Sequence, residues 1–344
     1  MISLRRKLTI VFAILSVGTL CFAQGDTCQR ALEFFNEHRW AEAAAAFQQC
    51  EGASPGTTDA LLYRGKALVN LNEYSAAATA LESYIAVHPN SDDALYLFGY
   101  VRFRQDHPKE SLELFARAAK LKPPQATDLK IAALDYVLLN DYDDAARYLT
   151  QSLQMDPNDL EARYHLGRVR YQQNQFDPAI AAFQEVLRRD PGSVRAEENL
   201  GLCLEAKNQN EAAIAAYRKA IQLDSQSEER NEQPYLDLGK LLTTLNRTAE
   251  ALPVLTQAVA IQPNSAPANY ELGRAQLAAD RVEEARTHLE RAAQLDPQNS
   301  STHYLLGRIY RKMGENDKAA EQFKLTEMLI RQQSGKSGGM ASRR

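Results

Sequence analysis

One stretch of 34 residues decides the fold, LEARYHLGRVRYQQNQFDPAIAAFQEVLRRDPGS at positions 160–193. It contains two runs in which apolar residues recur three and four positions apart, the period of an amphipathic helix. Gly167 in the first run and Ala179 in the second allow two helices to approach closely, and Phe183 fills the space beside them. Pro191 ends the second helix, because proline in a helix interior costs about 3 kcal/mol. The stretch therefore predicts two packed helices followed by a turn.

The same pattern recurs along most of the chain. Prolines lie 34 residues apart, and glycines, alanines and large apolar residues repeat in step with them. The recurring prolines are Pro55, Pro89, Pro123, Pro157, Pro191, Pro263 and Pro297, and the recurring glycines are Gly65, Gly99, Gly167, Gly201, Gly239, Gly273 and Gly307. Since chance would not sustain several residue types at matching offsets, the sequence predicts one supersecondary unit copied many times.

A period of 34 with this pattern resembles the tetratricopeptide repeat family. The resemblance implies an all-α fold, a right-handed α-solenoid in which each helix-turn-helix repeat contacts mainly its neighbours. We predict one solenoid domain at 24–333, a flexible tail at 334–344, and a lengthened loop or helix extension within Ser225–Gln233, where about four extra residues fall. Nine units fit, starting near residues 24, 58, 92, 126, 160, 194, 232, 266 and 300.

The composition excludes several classes of protein. Hydrophobic residues make up 44% and charged residues 24% of the 344 positions, which is ordinary for a folded chain and excludes wholesale disorder. The formal net charge is −4, so no overall basic field predicts a nucleic-acid partner.

The N-terminal residues predict export. Arg5, Arg6 and Lys7 are basic, the stretch from Leu8 to Leu20 is mainly apolar, and small residues precede polar Gln24. This order is typical of a secretory signal peptide at 1–23, with cleavage after Ala23. We therefore expect a periplasmic or secreted protein. The alternative is an uncleaved membrane anchor, but the apolar run is shorter than the roughly 20 residues that a membrane-spanning helix needs.

The family resemblance also implies where a partner binds. It places the first helix of each pair on a concave face, where tyrosines and basic residues recur in this chain. Tyrosine offers a flat apolar ring with a hydroxyl, and arginine offers forked donors for carboxylates and carbonyls. The candidate partner-binding residues are Tyr96, Tyr100, Arg104, Tyr164, Arg168, Tyr171, Lys240, Tyr270, Arg274, Tyr304 and Arg308.

Two interpretations of these residues stay open. In the functional one, they form a groove that holds an extended peptide or an acidic helix. In the other, each arginine stacks on its own tyrosine as solvated surface, and the tyrosines partly fill contacts between units. For any single pair the sequence slightly favours the second interpretation, and for the groove as a whole it favours the binding interpretation.

The cysteines predict one disulfide. Cys28 lies early in the first helix of unit one and Cys50 late in the second, which makes them neighbours in an antiparallel helix pair. Since an exported protein meets oxidising conditions, we expect a Cys28–Cys50 bridge that fixes the end unit. The alternative is two buried free thiols. Cys203 is expected to be an unpaired core residue.

Residues typical of catalysis are not grouped in the sequence. The six histidines are scattered, and none lies at metal-ligand spacing from Cys, Asp or Glu, so we expect no metal, cofactor or small-molecule substrate. The main hypothesis is a non-enzymatic scaffold for a protein or peptide partner, with a part in a membrane-associated envelope assembly or secretion complex as its specific variant. The alternative is a regulatory or substrate-presenting subunit of an envelope enzyme. Self-association through Leu325, Met328 and Leu329 is a third possibility.

Overall fold

The computed structural model describes residues 28–51 and 59–341, with side chains up to Ser334. The predicted signal peptide, its cleavage site and Pro55 lie outside the described residues. The described residues form eighteen α-helices without any strand. The helices are α1 (28–36), α2 (Trp40–Glu51), α3 (Asp59–Asn70), α4 (Tyr74–Val87), α5 (Asp92–Arg104), α6 (Pro108–Ala119), α7 (Ala126–Leu138), α8 (Tyr142–Met155), α9 (Leu160–Gln172), α10 (Phe176–Arg189), α11 (Val194–Ala206), α12 (Asn210–Asp224), α13 (Gln233–Thr244), α14 (Thr248–Ile261), α15 (Ala266–Ala278), α16 (Val282–Leu295), α17 (Ser300–Lys312) and α18 (Asn316–Ala341).

The chain divides into two compact units, unit 1 up to Gln173 and unit 2 from Asn174. Within each unit, helices pack on their neighbours in the chain, and several odd-numbered helices also pack on the next one: α3 on α5 and α5 on α7 in unit 1, and α13 on α15 and α15 on α17 in unit 2. The odd-numbered helices are the first helices of the predicted pairs. We call the surface that they present in each unit the first-helix face. The predicted all-α solenoid class is confirmed.

The turn inside each helix pair has one conformation. Its central residue has a positive φ, near 60° in most turns and 81° at Gly314, and the next amide donates back to the first helix, as from His107 N to Arg102 O at 2.9 Å. Asparagine, aspartate and glycine tolerate this left-handed backbone better than most residues. The turn residues are His38, Asn72, Asp106, Asn140, Asn174, Asn208, Asn246, Asp280 and Gly314.

The recurring glycines permit close packing within pairs. A Cβ atom at Gly99 would lie 3.2 Å from the Phe115 ring, and one at Gly201 would lie 2.5 Å from the Tyr217 ring. Phe115 and Tyr217 are both buried. A small residue on the first helix therefore makes room for a large one sixteen positions later, as the sequence pattern predicts.

The turns between pairs use polar side chains next to the recurring prolines. Asp156 Oδ1 accepts from the amide of Asn158 at 3.0 Å, and Asp159 Oδ1 accepts from the amide of Ala162 at 2.9 Å. The first bond closes a local turn, and the second caps the N-terminus of α9. Where the recurring proline is present, it follows the end of the second helix, and the polar residues after it start the next first helix.

The extra residues of the sixth repeat form a loop between α12 and α13. Asp224, which is buried at the end of α12, accepts from the amide of Asn231 at 2.9 Å. This bond closes the lengthened loop back onto its own helix. The sequence predicts either a lengthened loop or a helix extension here, and most of the inserted residues lie in the loop.

The last helix differs from the sequence-based expectation. We predict that the repeats end at 333 and that a flexible tail follows, but α18 continues to Ala341. The segment after residue 333 contains no proline, so no residue in it blocks further helical hydrogen bonds. Its mobility stays a prediction.

Candidate functional site

A pocket of about 390 Å³ opens on the first-helix face of unit 1. Its apolar lining comes from three successive first helices, with Val69 from α3, Leu97 from α5 and Ile131 from α7. Tyr96 and Tyr100, both predicted partner-binding residues, also line it. The ring of Pro123 completes the apolar lining. The polar lining consists of Asp92, Asp93, Lys122, Gln125 and Asp128.

Tyr96 joins one side of the pocket to the loop between α6 and α7. Its hydroxyl donates to the carbonyl oxygen of Lys122 at 2.7 Å. Burial, together with the nearby carboxylates of Asp128 and Asp92, raises the pKa of Tyr96 to about 12. The hydroxyl therefore remains protonated at physiological pH and keeps its hydrogen bond to the loop. This bond fixes the backbone of one pocket wall.

Tyr100 lies beside Arg104 on α5. Arg104 donates to the Tyr100 hydroxyl at 2.7 Å, and its guanidinium also lies 4.5 Å from the centre of the Tyr74 ring. Arg104 is exposed and Tyr100 is half-buried. Arg104 therefore contacts the tyrosines Tyr74 and Tyr100, as the solvated-surface interpretation predicts. The Tyr100 ring still lines the pocket.

The lysines of this face are already paired with acidic residues of the next repeat. Lys66 donates to Asp93 at 2.6 Å, and Lys130 donates to Glu161 at 2.7 Å with Asp159 at 3.0 Å. These bonds link successive repeats and neutralise the two ammonium groups. The face of unit 1 is therefore less basic than its sequence suggests.

The remaining predicted residues of unit 1 lie on α9. Tyr164 is only 8% exposed and its ring lies 5.5 Å from that of His165, so it belongs to the packed interior more than to a contact surface. Arg168 is exposed, and its guanidinium lies 6.0 Å from the Tyr164 ring centre. Tyr171 is half-buried. Of these three residues, Arg168 is the most accessible to a partner.

In unit 2, Arg274 is held by two internal contacts. It donates to Glu271 at 2.6 Å and, at 3.4 Å, to the carbonyl oxygen of Lys240. Burial raises the pKa of Tyr270, and the Glu271 carboxylate raises it further. The Lys240 side chain is exposed. This cluster mainly connects α13 and α15.

Tyr304 and Arg308 lie one turn apart on α17 and are both exposed. The Tyr304 side chain is 48% exposed, with its ring 6.0 Å from that of Phe323. The structure therefore distributes the eleven predicted residues over several environments. It brings Tyr96 and Tyr100 into one pocket but buries Tyr164.

The cysteines lie where the sequence places them. Cys28 and Cys50 form a disulfide with Cα atoms 5.3 Å apart, which links α1 to the end of α2. Cys203 is buried, and burial raises its pKa to about 12. A thiol with such a pKa is a poor nucleophile near neutral pH.

The C-terminal helix corrects one expectation. We predict that Leu325, Met328 and Leu329 are left uncovered, but Leu329 is only 2% exposed. Leu329 contributes to the interior because helical periodicity turns it away from Met328, which is 46% exposed. The uncovered apolar surface is therefore smaller than expected.

Two further observations concern chemistry and membranes. The described side chains contain no group of three or more His, Cys, Asp or Glu residues that could hold a metal ion. Within residues 28–51 and 59–341, no helix combines the length and apolar character needed to cross a membrane.

Two family models described as tetratricopeptide repeat match most of the chain. The first matches residues 64–126, 132–193 and 166–228, and the second matches 242–292 and 283–328. The chain belongs to the tetratricopeptide repeat family. Its repeats support protein or peptide binding, so the chain is assigned to protein–protein interaction scaffolds, a class that is generally non-enzymatic.

Solved structures with the same fold include other tetratricopeptide repeat proteins. The APC/C hetero-tetramer Cut9–Hcn1 is 17% identical with a TM-score of 0.56 over 81% of this chain and 54% of that chain. A tetratricopeptide repeat protein from Parabacteroides merdae is 15% identical with a TM-score of 0.54 over 74% and 98%. Yeast Tom70 is 20% identical with a TM-score of 0.51 over 85% and 59%. No curated protein matches the sequence significantly.

Sequence reasoning missed the acidic side of the unit 1 pocket. Asp92 and Asp128 begin two first helices, while Lys122 lies in the loop between them. The sequence signal for an unusual loop at this place was the double proline at Pro123 and Pro124, where other repeats have a single proline. Two consecutive prolines extend the preceding backbone and set the direction of this loop.

Proposed function

We propose that this chain is an exported, non-enzymatic scaffold that holds a segment of a partner protein on the first-helix face of unit 1. The pocket between α3, α5 and α7 is the observation that carries the proposal. It offers aliphatic and aromatic contacts on three successive repeats, so one extended segment would meet several of them at once. Many modest contacts then sum to useful affinity.

The tyrosines make this pocket suitable for recognising a chain. Tyr100 presents its ring to the pocket and engages its hydroxyl with Arg104, while Tyr96 is fixed by its bond to the Lys122 carbonyl. A ring that is already held loses little conformational entropy on binding. Tyrosine is also enriched at the centres of protein interfaces.

Export is supported by two independent features. The first 23 residues have the order of a signal peptide, and the Cys28–Cys50 disulfide suits an oxidising compartment. We infer a periplasmic or secreted location, with a role in an envelope assembly as the specific form of the function. N-terminal sequencing of the protein from fractionated cells tests this, with Gln24 expected as the first residue. A chain recovered from the cytosol with Met1 intact would contradict it.

A quantitative pull-down from native envelope extract tests the binding face. Tyr100→Ala removes a pocket ring, whereas Glu113→Ala changes an exposed residue of α6, a second helix of the same unit. Loss of an aromatic contact near the centre of an interface costs about 2 kcal/mol, so partner recovery should fall severalfold with the first variant. The second variant should match the wild type.

Circular dichroism of both variants controls for folding. Equal recovery of every partner by the wild type and by a folded Tyr100→Ala protein would contradict the proposed face. Loss of recovery with Glu113→Ala alone would place the interface on the second helices instead.

A further inference from the structure

We propose that the unit 1 pocket receives a basic side chain, arginine or lysine, from the partner segment, and that the Lys122 ammonium occupies this position in the free protein. The inference rests on the proposed function and specifies the chemistry of the partner. It commits to a cationic residue because the polar lining of the pocket is mainly anionic.

The charges that line the pocket do not balance. Asp93 is neutralised by Lys66, which leaves Asp92 and Asp128 facing the single ammonium of Lys122. Asp128 also accepts from the amide of Gln125 at 2.8 Å, which caps the N-terminus of α7. Both carboxylates line the pocket with Tyr96 and raise the pKa of its hydroxyl. One of the two carboxylates therefore has no side-chain cation of its own within the lining.

Lys122 is held weakly at its ammonium and firmly at its backbone. Its Nζ lies 3.4 Å from Asp92, and the side chain is 60% exposed. Its carbonyl oxygen accepts a hydrogen bond from the Tyr96 hydroxyl, and Pro123 restricts the backbone of Lys122. The ammonium can therefore leave the pocket by side-chain rotation while the loop stays in place. An exposed ion pair of this kind contributes little stability, so displacing it costs little.

The shape of the pocket suits a long basic side chain. Val69, Leu97 and Ile131 offer apolar surface to its methylene groups. The rings of Tyr96 and Tyr100 offer faces to a cation, and Asp92 and Asp128 accept its hydrogen bonds. Burial raises the pKa of Asp128, while Lys122 lowers it. A cation supplied by the partner would compensate the same carboxylate.

This pocket disfavours the acidic helix that the sequence left open as a partner. Asp92 and Asp128 together carry more negative charge than Lys122 balances and would repel an acidic side chain, and Lys66 and Lys130 are already paired. Of the two occupants considered for the groove, an extended peptide with a basic residue fits unit 1.

Peptide titrations followed by NMR test the inference on the full chain. The probes are Ac-Ala-Leu-Arg-Leu-Ala-NH₂ and the same peptide with citrulline, the neutral isostere of arginine. We expect about tenfold tighter binding of the arginine peptide, the effect of one charge-assisted contact, with shift changes at Tyr96, Tyr100 and Ile131. Lys122→Met should strengthen that binding about threefold, because the internal competitor is removed.

Matched variants separate this effect from general electrostatics. Lys109→Met removes an exposed lysine of α6 and should leave both affinities unchanged. Asp92→Asn should abolish the preference for arginine. Equal binding of both peptides at the pocket would overturn the basic specificity while leaving the proposed binding face intact. Absence of any shift change at the pocket, with the wild type and with Lys122→Met, would overturn both.

Discussion

The Ser111 hydroxyl donates a hydrogen bond of 2.5 Å to Oδ2 of Asp135 inside unit 1. Both side chains are completely buried, on α6 and α7. The other described repeats have alanine at the place of Ser111. At the place of Asp135, the first repeat has Glu33 and the remaining repeats have an apolar residue. The latter are Ala67, Val101, Val169, Cys203, Leu241, Ala275 and Ile309. One polar pair thus replaces an apolar contact between consecutive repeats.

We expect Ser111→Ala to destabilise the protein by about 1–3 kcal/mol, because Asp135 loses its hydroxyl donor while remaining buried. The double variant Ser111→Ala/Asp135→Val restores the residue types of the other repeats and should be at least as stable as the wild type. Chemical denaturation followed by circular dichroism measures both. Ser83→Ala, at an exposed serine, is the control, and equal effects of Ser83→Ala and Ser111→Ala would contradict the prediction.

Asp135 should also make stability depend on pH. Burial raises its pKa from 3.8 to about 7, although the Ser111 hydrogen bond partly lowers it. The folded state therefore binds this proton more tightly than the unfolded state, and stability falls as pH rises from about 4 to about 7. Relative to the double variant, the wild type should lose up to about 4 kcal/mol over that range. Parallel stability profiles of the two proteins would show that Asp135 is not the source.

Gly201→Ala should destabilise unit 2. The new Cβ atom would lie 2.5 Å from the ring of Tyr217, which is fully buried and has little room to move. Such overpacking typically costs about 1–3 kcal/mol. Gly192→Ala is the matched control, since its Cβ would lie 3.5 Å from the Asp190 carboxylate in an exposed turn. The prediction is wrong if the two variants unfold at the same denaturant concentration.

Removing the disulfide should destabilise the N-terminal end of unit 1. A bridge that closes 22 residues contributes about 3 kcal/mol in the chain-entropy model. Reductant should therefore lower the stability of the wild type but not that of Cys28→Ser/Cys50→Ser. Thiol titration adds a check, because only Cys203 of the residues from 28 onward should react after unfolding without reductant. Three reactive thiols in that test would show that Cys28 and Cys50 are free.

The repeat made the helices and their pairing predictable. Gly99 and Phe115 are sixteen residues apart and meet directly, so local spacing contains the tertiary contact. The left-handed turn residues were also readable, because asparagine or aspartate recurs at Asn72, Asp106 and Asn140. A short repeat period places most contacts within reach of pattern reasoning.

The site was less predictable because it depends on side chains from different repeats. Tyr164 and Tyr96 occupy equivalent positions in their repeats, yet Tyr164 is buried while Tyr96 lines a pocket. Tyr96 lies beside the Lys122 loop, whereas Tyr164 lies beside His165. Likewise, the pairing of Lys66 with Asp93 follows from the packing of α3 on α5. Composition alone therefore overstated the positive charge of the face.

Site-specific photo-crosslinking in living cells tests the central claim most directly. A benzophenone amino acid replaces Tyr100 in the pocket or, in a parallel strain, Glu113 on the second-helix surface. The account predicts a cross-link from position 100 to one defined partner segment, mapped by mass spectrometry, and little or none from position 113. Cross-links to that partner from position 113 and none from position 100 would contradict it.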